Sequence, residues 1–388
     1  MSWHKLCKEV TSRQHRSFTN MNSGARKELA LLTTLASLGL LWAGQKSMAR
    51  AVGVASGILY CLPSLYTFRG KSVVITGGSR GLGFALAERF LKQRAQVALL
   101  ARDADELEQA RALLGKRTGL HPLIITCDVT QRGEVQLALE QVASHFGGID
   151  ILINNAGAIV IGPFESMELQ DFEALLTVQV HAVVNATQAV LPWFRRHGGG
   201  RIANISSIGG RIAVPHMSVY CAGKFALAGL SASIAAELAA ENILVTTVFP
   251  GLMRVGSPIQ AVIKGEHEKE YAWFALGDST PGLSVSAEYA ARQIVEAIRR
   301  GDSQLMFPST TRLASFAQSA FPELFAFATQ LAARLQPHGL SSVRKLGSQS
   351  TVLLESQPWY SLFRPILKGA QDDNNQAKKT DPAFNLGL

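Results

Sequence analysis

The feature that most constrains this chain is a glycine loop set directly between a strand and a helix. "KSVVIT" (71–76) is a short β-branched run, and "GGSRGLGFALAERF" (77–90) follows it with no spacer. Glycines at such a junction let the chain turn sharply and let a pyrophosphate approach the backbone. A helix beginning near Leu82 aims its first N–H groups at that anion. A glycine triad alone says little; the strand before it and the helix after it supply the required context. The loop therefore points to a nucleotide site with Gly77, Ser79, Arg80, Gly81, Leu82 and Gly83 as expected contacts. A plain glycine-rich turn is the alternative.

The alternation continues downstream. "QVALLA" (96–101), "HPLIITC" (121–127), "IDILIN" (149–154), "GRIANIS" (200–206) and "ILVTTVF" (243–249) are apolar runs, and "LMFP" (305–308) reads as a last strand. Helix-length segments such as "GFALAERFLKQR" and "ELEQARALL" lie between them. This pattern predicts an α/β fold, a doubly wound parallel sheet with helices on both faces. After Pro250 the alternation breaks, and an insertion of this length, about 251–283, reads as a lid. "LASFAQSAFPELFAFATQLAARL" (313–335) is an apolar helical stretch that either packs on the domain or lies on lipid. "GAQDDNNQAKKTDP" (369–382) has the composition of a disordered tail. The expected division is an N-terminal segment 1–68 with apolar helices, a catalytic domain 69–309, and a C-terminal extension 310–388.

Charge is unevenly placed. The net charge is +9, yet residues 1–71 already hold ten Lys/Arg against two Glu. The basic character is N-terminal, so no nucleic-acid groove is expected across the main domain. Cys7, Cys61, Cys127 and Cys221 form no Cys-x-x-Cys pair, which indicates neither zinc nor a disulfide framework. "HEKE" (267–270) reads as a solvated lid face, His181 and His216 stand alone, and no metal is expected. Two uncharged runs, 29–44 and 51–68, reach about 24 and 27 Å at ~1.5 Å per residue, borderline for a hydrocarbon core of ~30 Å. Three readings compete: a membrane anchor (a hairpin or interfacial helices), a buried helix pair, and a cleaved signal near Ala43. The anchor is preferred, with membrane lipid as partner of residues 29–68.

Tyr220 and Lys224 stand four apart at the start of an apolar helical run, so they share a face. A lysine beside a phenol favours the phenolate and is expected to lower the tyrosine pKa from about 10. Such a tyrosine can serve as acid or base. On spacing alone the pair is an ordinary helix turn.

Six motifs in order change that. "TGGSRGLG" (76–83), "CDV" (127–129), "NNAG" (154–157), "NISS" (204–207), "YCAGK" (220–224) and "PG" (250–251) make residues 70–300 resemble the short-chain dehydrogenase/reductase family. The resemblance implies a Rossmann-type fold, a nicotinamide cofactor and a catalytic Ser207, Tyr220 and Lys224. Ser207, thirteen residues before Tyr220, would hold the substrate oxygen. Tyr220 would exchange a proton with it. Lys224 would lower the tyrosine pKa and hold the nicotinamide ribose. Asp128 and Val129 would border the adenine. Asn155, Ala156 and Gly157 would line the ribose and nicotinamide side, and Pro250, Gly251 and Met253 would also contact the cofactor. Two positions depart from the family: Gln179 stands where an asparagine is usual, and Val255 where a threonine is usual. Family members are commonly dimers or tetramers, so a homo-oligomer is a further expectation.

The cofactor expectation rests on "VALLARD". The second strand ends at Ala101, where an NAD site would favour a carboxylate for the ribose 2′-OH. Arg102 follows, and with Arg80 it would bracket a 2′-phosphate, so NADP is expected over NAD. Asp103-x-x-Glu106 has capping-box spacing. Together these readings describe a membrane-attached, NADPH-dependent reductase of an apolar carbonyl or alcohol compound, its catalytic domain facing the cytoplasm. A cofactor-binding membrane scaffold without turnover is the alternative, supported by Gln179 and Val255.

Overall fold

The computed structural model describes residues 23–43, 45–61, 66–280 and 284–354. The expectation of a disordered 369–382 lies outside them. The chain forms two compact units: one runs to Thr67 and includes Arg299–Ser303, the other comprises Phe68–Ile298 and the chain from Gln304 onward.

The first unit is a helical hairpin of α1 (Ser23–Trp42) and α2 (Lys46–Cys61). Small and polar side chains join the two helices. Ser37 Oγ donates to Ala49 O at 2.7 Å, and Ser56 Oγ donates to Thr33 Oγ1 at 2.6 Å. The large apolar side chains point the other way: Leu32 is 63% and Trp42 is 94% exposed, with Leu31, Leu35 and Leu38 similarly open.

The second unit is built on a parallel sheet. Its strands and covering helices run β1 (Ser72–Thr76), α3 (Gly81–Lys92), β2 (Gln96–Ala101), α4 (Ala104–Thr118), β3 (Leu123–Thr126), α5 (Arg132–Phe146) and β4 (Ile151–Asn154). After the two-residue β5 (Val160–Ile161) come α6 (Leu169–Leu176), a π-helical turn (Thr177–His181), α7 (Ala182–Arg196), β6 (Gly200–Ile205), α8 (Ser218–Leu238) and β7 (Ile243–Pro250). The lid and the return follow as β8 (Leu252–Arg254), α9 (Ser257–Gln260), β9 (Val262–Ile263), α10 (His267–Ser279), β10 (Ser284–Ser286), α11 (Ala287–Arg300) and β11 (Gln304–Phe307). The described chain ends in α12 (Ser309–Ala320), α13 (Pro322–Ala333), β12 (Lys345–Leu346) and α14 (Gly347–Leu354).

Strand order is β11-β7-β6-β4-β1-β2-β3, parallel throughout, with Val73 paired to Val97 on one side and to Ile151 on the other. Every residue of β1 and β4 is buried, as strands covered on both faces require. The core under α5 and α7 joins Val74, Leu100, Leu152 and Ile202 to Leu139, Val190 and Phe194. The direction of winding reverses between β1 and β4, and at such a switch point the carboxyl ends of the strands leave a crevice.

Two small sheets hang the lid on this frame. β8 pairs with β10, while β9 pairs with β5 in parallel and with β12 antiparallel. The C-terminal extension is thus joined to the second unit through β12. Of the two expected fates for 313–335, the large side chains take exposure: Leu313, Phe316, Leu324, Phe327 and Leu335 are all open. Leu169–Arg196 and Ser218–Glu241 are long and apolar enough to cross a membrane by length and composition. Both also fit a soluble core, since α7 and α8 bury Val190, Phe194, Leu227 and Leu238 against the sheet.

Candidate active site

The crevice opens into a cavity of about 880 Å³ that runs from the glycine loop to the lid. Gly77, Ser79, Arg80, Gly81 and Leu82 line its first end; Gly83 sits behind them. A Cβ on Gly83 would fall 2.1 Å from Gly77 O, and one on Gly77 would meet Ala156 Cα at 2.9 Å, with φ at +63°. No side chain fits these positions, so the backbone forms the surface. Asn155 holds the loop in place: its Nδ2 donates to Thr76 O and Gly77 O at 3.1 and 2.9 Å, and its own N–H donates to Thr76 Oγ1.

α3 starts here with no side-chain cap, whereas α4 is capped by Asp103 Oδ1, which accepts from Glu106 N at 2.8 Å. The uncapped amide end of α3, the bare glycine surface and the length of the cavity suit a dinucleotide pyrophosphate. The expected return arm of the Asp103–Glu106 capping box is not formed. Glu106 instead accepts from Ser79 Oγ at 2.9 Å and from Arg80 at 2.5 Å, drawn by the guanidinium across the cavity mouth. Arg102, Asp128 and Val129 line the same region, and Asp128 Oδ1 is occupied by the N–H and hydroxyl of Thr130.

Ser207, Tyr220 and Lys224 meet at the far end of the cavity. Buried amides and hydroxyls tie β6, which ends just before Ser207, to β4, to β7 and to α8, which carries Tyr220 and Lys224. Asn154 Nδ2 donates to Asn204 Oδ1, Asn204 Nδ2 to Ser231 Oγ, and Ser231 pairs with Thr247. Ser206 and Ser207 separate as neighbours on a strand must: Ser206 Oγ donates to Lys224 O, while Ser207 faces Tyr220 and accepts from Gly209 N. Lys224 is 5% exposed, donates to Ile205 O at 2.9 Å and lies 5.7 Å from the Tyr220 ring centroid.

The electrostatics correct one expectation. Burial pushes the Tyr220 hydroxyl up to about 12, the hydrogen bond with Ser207 opposing it, and Lys224 does not bring it down. Lys224 instead turns to the Ile205 carbonyl, and burial lowers its own pKa to about 8.

Gln179 sits in the π-helical turn between α6 and α7, 1% exposed and outside the cavity wall. Its Nε2 donates to Ala158 O at 2.9 Å, and its Oε1 accepts no hydrogen bond among the described residues. Pro250, Gly251, Met253 and Val255 form the wall opposite.

Several groups were not read from the sequence as part of this site. Asp278 of α10 lines the cavity beside Trp273 and Phe274, and Leu346 and Ser348 of the C-terminal extension reach it too. "HEKE" is not a solvated face. His267 is buried and bonded to Val343 O, and Glu270 is buried against His216 Nδ1 at 2.7 Å.

Fold and site together define an α/β oxidoreductase organised around a dinucleotide-type glycine loop. The chain belongs to the short-chain dehydrogenase family, whose model matches residues 71–265. It is 35% identical over 243 residues to the SadH protein of Mycobacterium tuberculosis, covering 62% of this chain and 87% of that one. It is 34% identical over 205 residues to a 3α-hydroxysteroid dehydrogenase of Mediterraneibacter gnavus, covering 50% and 80%. L-sorbose reductase of Gluconobacter frateurii, solved with NADPH and L-sorbose, superposes with a TM-score of 0.56 at 29% identity, covering 62% of this chain and 96% of that chain.

Proposed function

We propose that this protein is an NADP(H)-dependent oxidoreductase acting on the carbonyl or secondary alcohol of an apolar compound, held on a membrane by residues 29–68. The observation that carries the reading is the cavity itself, with an uncapped glycine loop at one end and Ser207, Tyr220 and Lys224 at the other. A bound nicotinamide supplies or accepts the hydride. The chain's own residues handle the oxygen and its proton. Ser207 hydrogen-bonds the carbonyl oxygen. Tyr220, protonated throughout the neutral range, gives that oxygen a proton in reduction and takes it back in oxidation. Lys224, charged below about pH 8, supplies positive charge beside the phenol and the ribose position.

NADP is favoured over NAD by Ala101 at the end of β2, which offers no carboxylate, and by Arg80 and Arg102 on the cavity wall. The solved NADPH complex of the sorbose reductase is consistent with this choice. Glu106, paired with Arg80, favours the second reading, NAD, because a carboxylate at that mouth repels a phosphate. Arg102→Ala decides between them: NADPH affinity should fall at least ~10-fold, the value of a charge-assisted bond, with NADH little changed. Equal loss for both cofactors would overturn the preference.

Apolar substrates are suggested by Trp273, Phe274, Met217, Val214 and Leu346 on the reacting end of the cavity. The hydroxysteroid dehydrogenase among the relatives fits such a substrate. Membrane attachment is supported by the hairpin, with leucines outside and Ser, Thr and Ala inside, the reverse of a water-soluble pair. Lys5, Lys8, Arg13, Arg16, Arg26 and Lys27 precede its first apolar run, which begins at Leu29, and basic flanks favour the cytoplasmic side. A hairpin would return the chain to the side it left, and this supports a reading in which the N-terminus and residues 70–300 both face the cytoplasm.

A further inference from the structure

The lid carries one carboxyl that nothing so far uses. Asp278 lies near the end of α10, is 4% exposed, and faces the reacting end of the cavity. One oxygen is committed: Oδ1 accepts from Met253 N at 3.0 Å. Oδ2 accepts no hydrogen bond among the described residues, and the residue lines the cavity. Burial pushes the group up to about 7, against the Met253 bond and the charge of Arg254. A buried carboxyl with one open oxygen costs stability unless a ligand completes it.

Its position narrows the ligand. Met253 belongs to the segment 250–256, which crosses the glycine loop: a Cβ on Gly81 would meet Val255 O at 3.2 Å. Asp278 is therefore tied to the wall that faces the dinucleotide, and it is also close enough to Tyr220 to raise that group's pKa. A nicotinamide delivering hydride beside Tyr220 must rest against this wall, and its carboxamide needs a partner there. The side chains of Leu252, Met253 and Val255 offer it none, and Arg254 is bonded to Ser284. We infer that Asp278, through its open oxygen, accepts a hydrogen bond from the NH₂ of the nicotinamide carboxamide and so fixes the rotation of the ring.

This inference rests on the nicotinamide reading above and is tested by binding rather than turnover. Three ligands are titrated by fluorescence or calorimetry: NADPH, its reduced 3-acetylpyridine analogue, in which a methyl replaces the NH₂, and 2′-phospho-ADP-ribose, which lacks the ring. Wild type should prefer NADPH to the acetyl analogue by at least ~10-fold. In Asp278→Ala the preference should collapse toward one, with 2′-phospho-ADP-ribose bound as before. Asp278→Asn keeps an acceptor for Met253 N and guards against a misfolded alanine variant. Its amide can donate to either ligand's carbonyl, so it too should lose the preference. An undiminished preference in both variants overturns the inference, as does parallel loss of 2′-phospho-ADP-ribose binding, which would make Asp278 structural. A wild type that binds 2′-phospho-ADP-ribose yet does not distinguish the two ring ligands refutes the inference alone. Failure to bind any of the three, with NADH failing as well, refutes the nicotinamide reading beneath it, and the inference with it; binding of NADH alone moves the same comparison to NADH, its acetyl analogue and ADP-ribose.

Discussion

At Gly223 a single methyl group would change how Gln179 sits. A Cβ there would fall 2.2 Å from Gln179 Oε1 and 3.1 Å from its Cδ. Gln179 cannot swing aside, because it is buried and its Nε2 is held by Ala158 O. The longer side chain and the missing side chain occupy one volume, so the glycine at 223 makes room for the glutamine that departs from the family at 179. Gly223→Ala should cost ~1–3 kcal/mol through overpacking, less the ~0.5–1 kcal/mol that alanine gains in a helix. In a Gln179→Asn background, one methylene shorter, the alanine should be accommodated. A double-mutant cycle by urea unfolding should then show coupling of ~1–2 kcal/mol; strict additivity would mean the two residues do not compete for space. Lys224 shows another cost at this scale. Its depressed pKa means that holding its charge inside works against folding at neutral pH.

Between elements, the lid base is tied down by buried charge. Lys264, just after β9 and fully buried, reaches Asp171 of α6 at 2.6 Å, and Arg344, just before β12, reaches the other oxygen of Asp171 at 2.8 Å. Burial pushes the Asp171 carboxyl up, but the bonds from Lys264 and the Glu168 N–H, with Arg344 beside them, outweigh it and hold the pKa below the ordinary value. Asp171→Ala leaves Lys264 with only the half-exposed Glu168, 3.2 Å away, as an ion partner and should cost up to ~3–5 kcal/mol at pH 7. Because the folded-state pKa is depressed, this contribution is present at neutral pH and is lost as pH falls through that value. The gap in urea stability between wild type and Asp171→Ala should therefore narrow in acid. A gap independent of pH would contradict an ionised Asp171. None of this was legible beforehand. The seven strands of the main sheet could be read because apolar runs alternate with helical periods, and the glycine loop because its spacing depends on its flanks. β5, β8, β9, β10 and β12 are two or three residues long and carry no period. Lys264 and Asp171 are 93 residues apart and meet only in the fold. Asp278 was one letter in "GDST", and Glu106 looked like a helix cap because one of its atoms belongs to one.

For the whole molecule, the hairpin and the catalytic unit follow opposite solvation rules. The catalytic unit buries Val, Ile and Leu on both faces of its sheet, while the hairpin turns its leucines outward. Deleting residues 1–68 should release a soluble domain that still binds NADPH, since the glycine loop begins beyond the cut. With tags at both ends of the full chain, protease applied to sealed cytoplasm-side-out vesicles should remove both. Protection of the catalytic domain with an accessible N-terminus would establish a single span. Recovery of the full chain in the soluble fraction would make the hairpin a buried pair.

The central claim is that Tyr220 moves the proton that accompanies hydride transfer. Its most direct test is the loss of NADPH absorbance with a panel of apolar ketones, run on wild type and on Tyr220→Phe with NADPH affinity measured in parallel. The phenylalanine keeps the ring and removes the transferable proton. Turnover should fall at least ~100-fold, the usual value of a general acid, while NADPH affinity stays within a few-fold of wild type. Near-normal turnover by Tyr220→Phe on a ketone that wild type reduces would contradict the account.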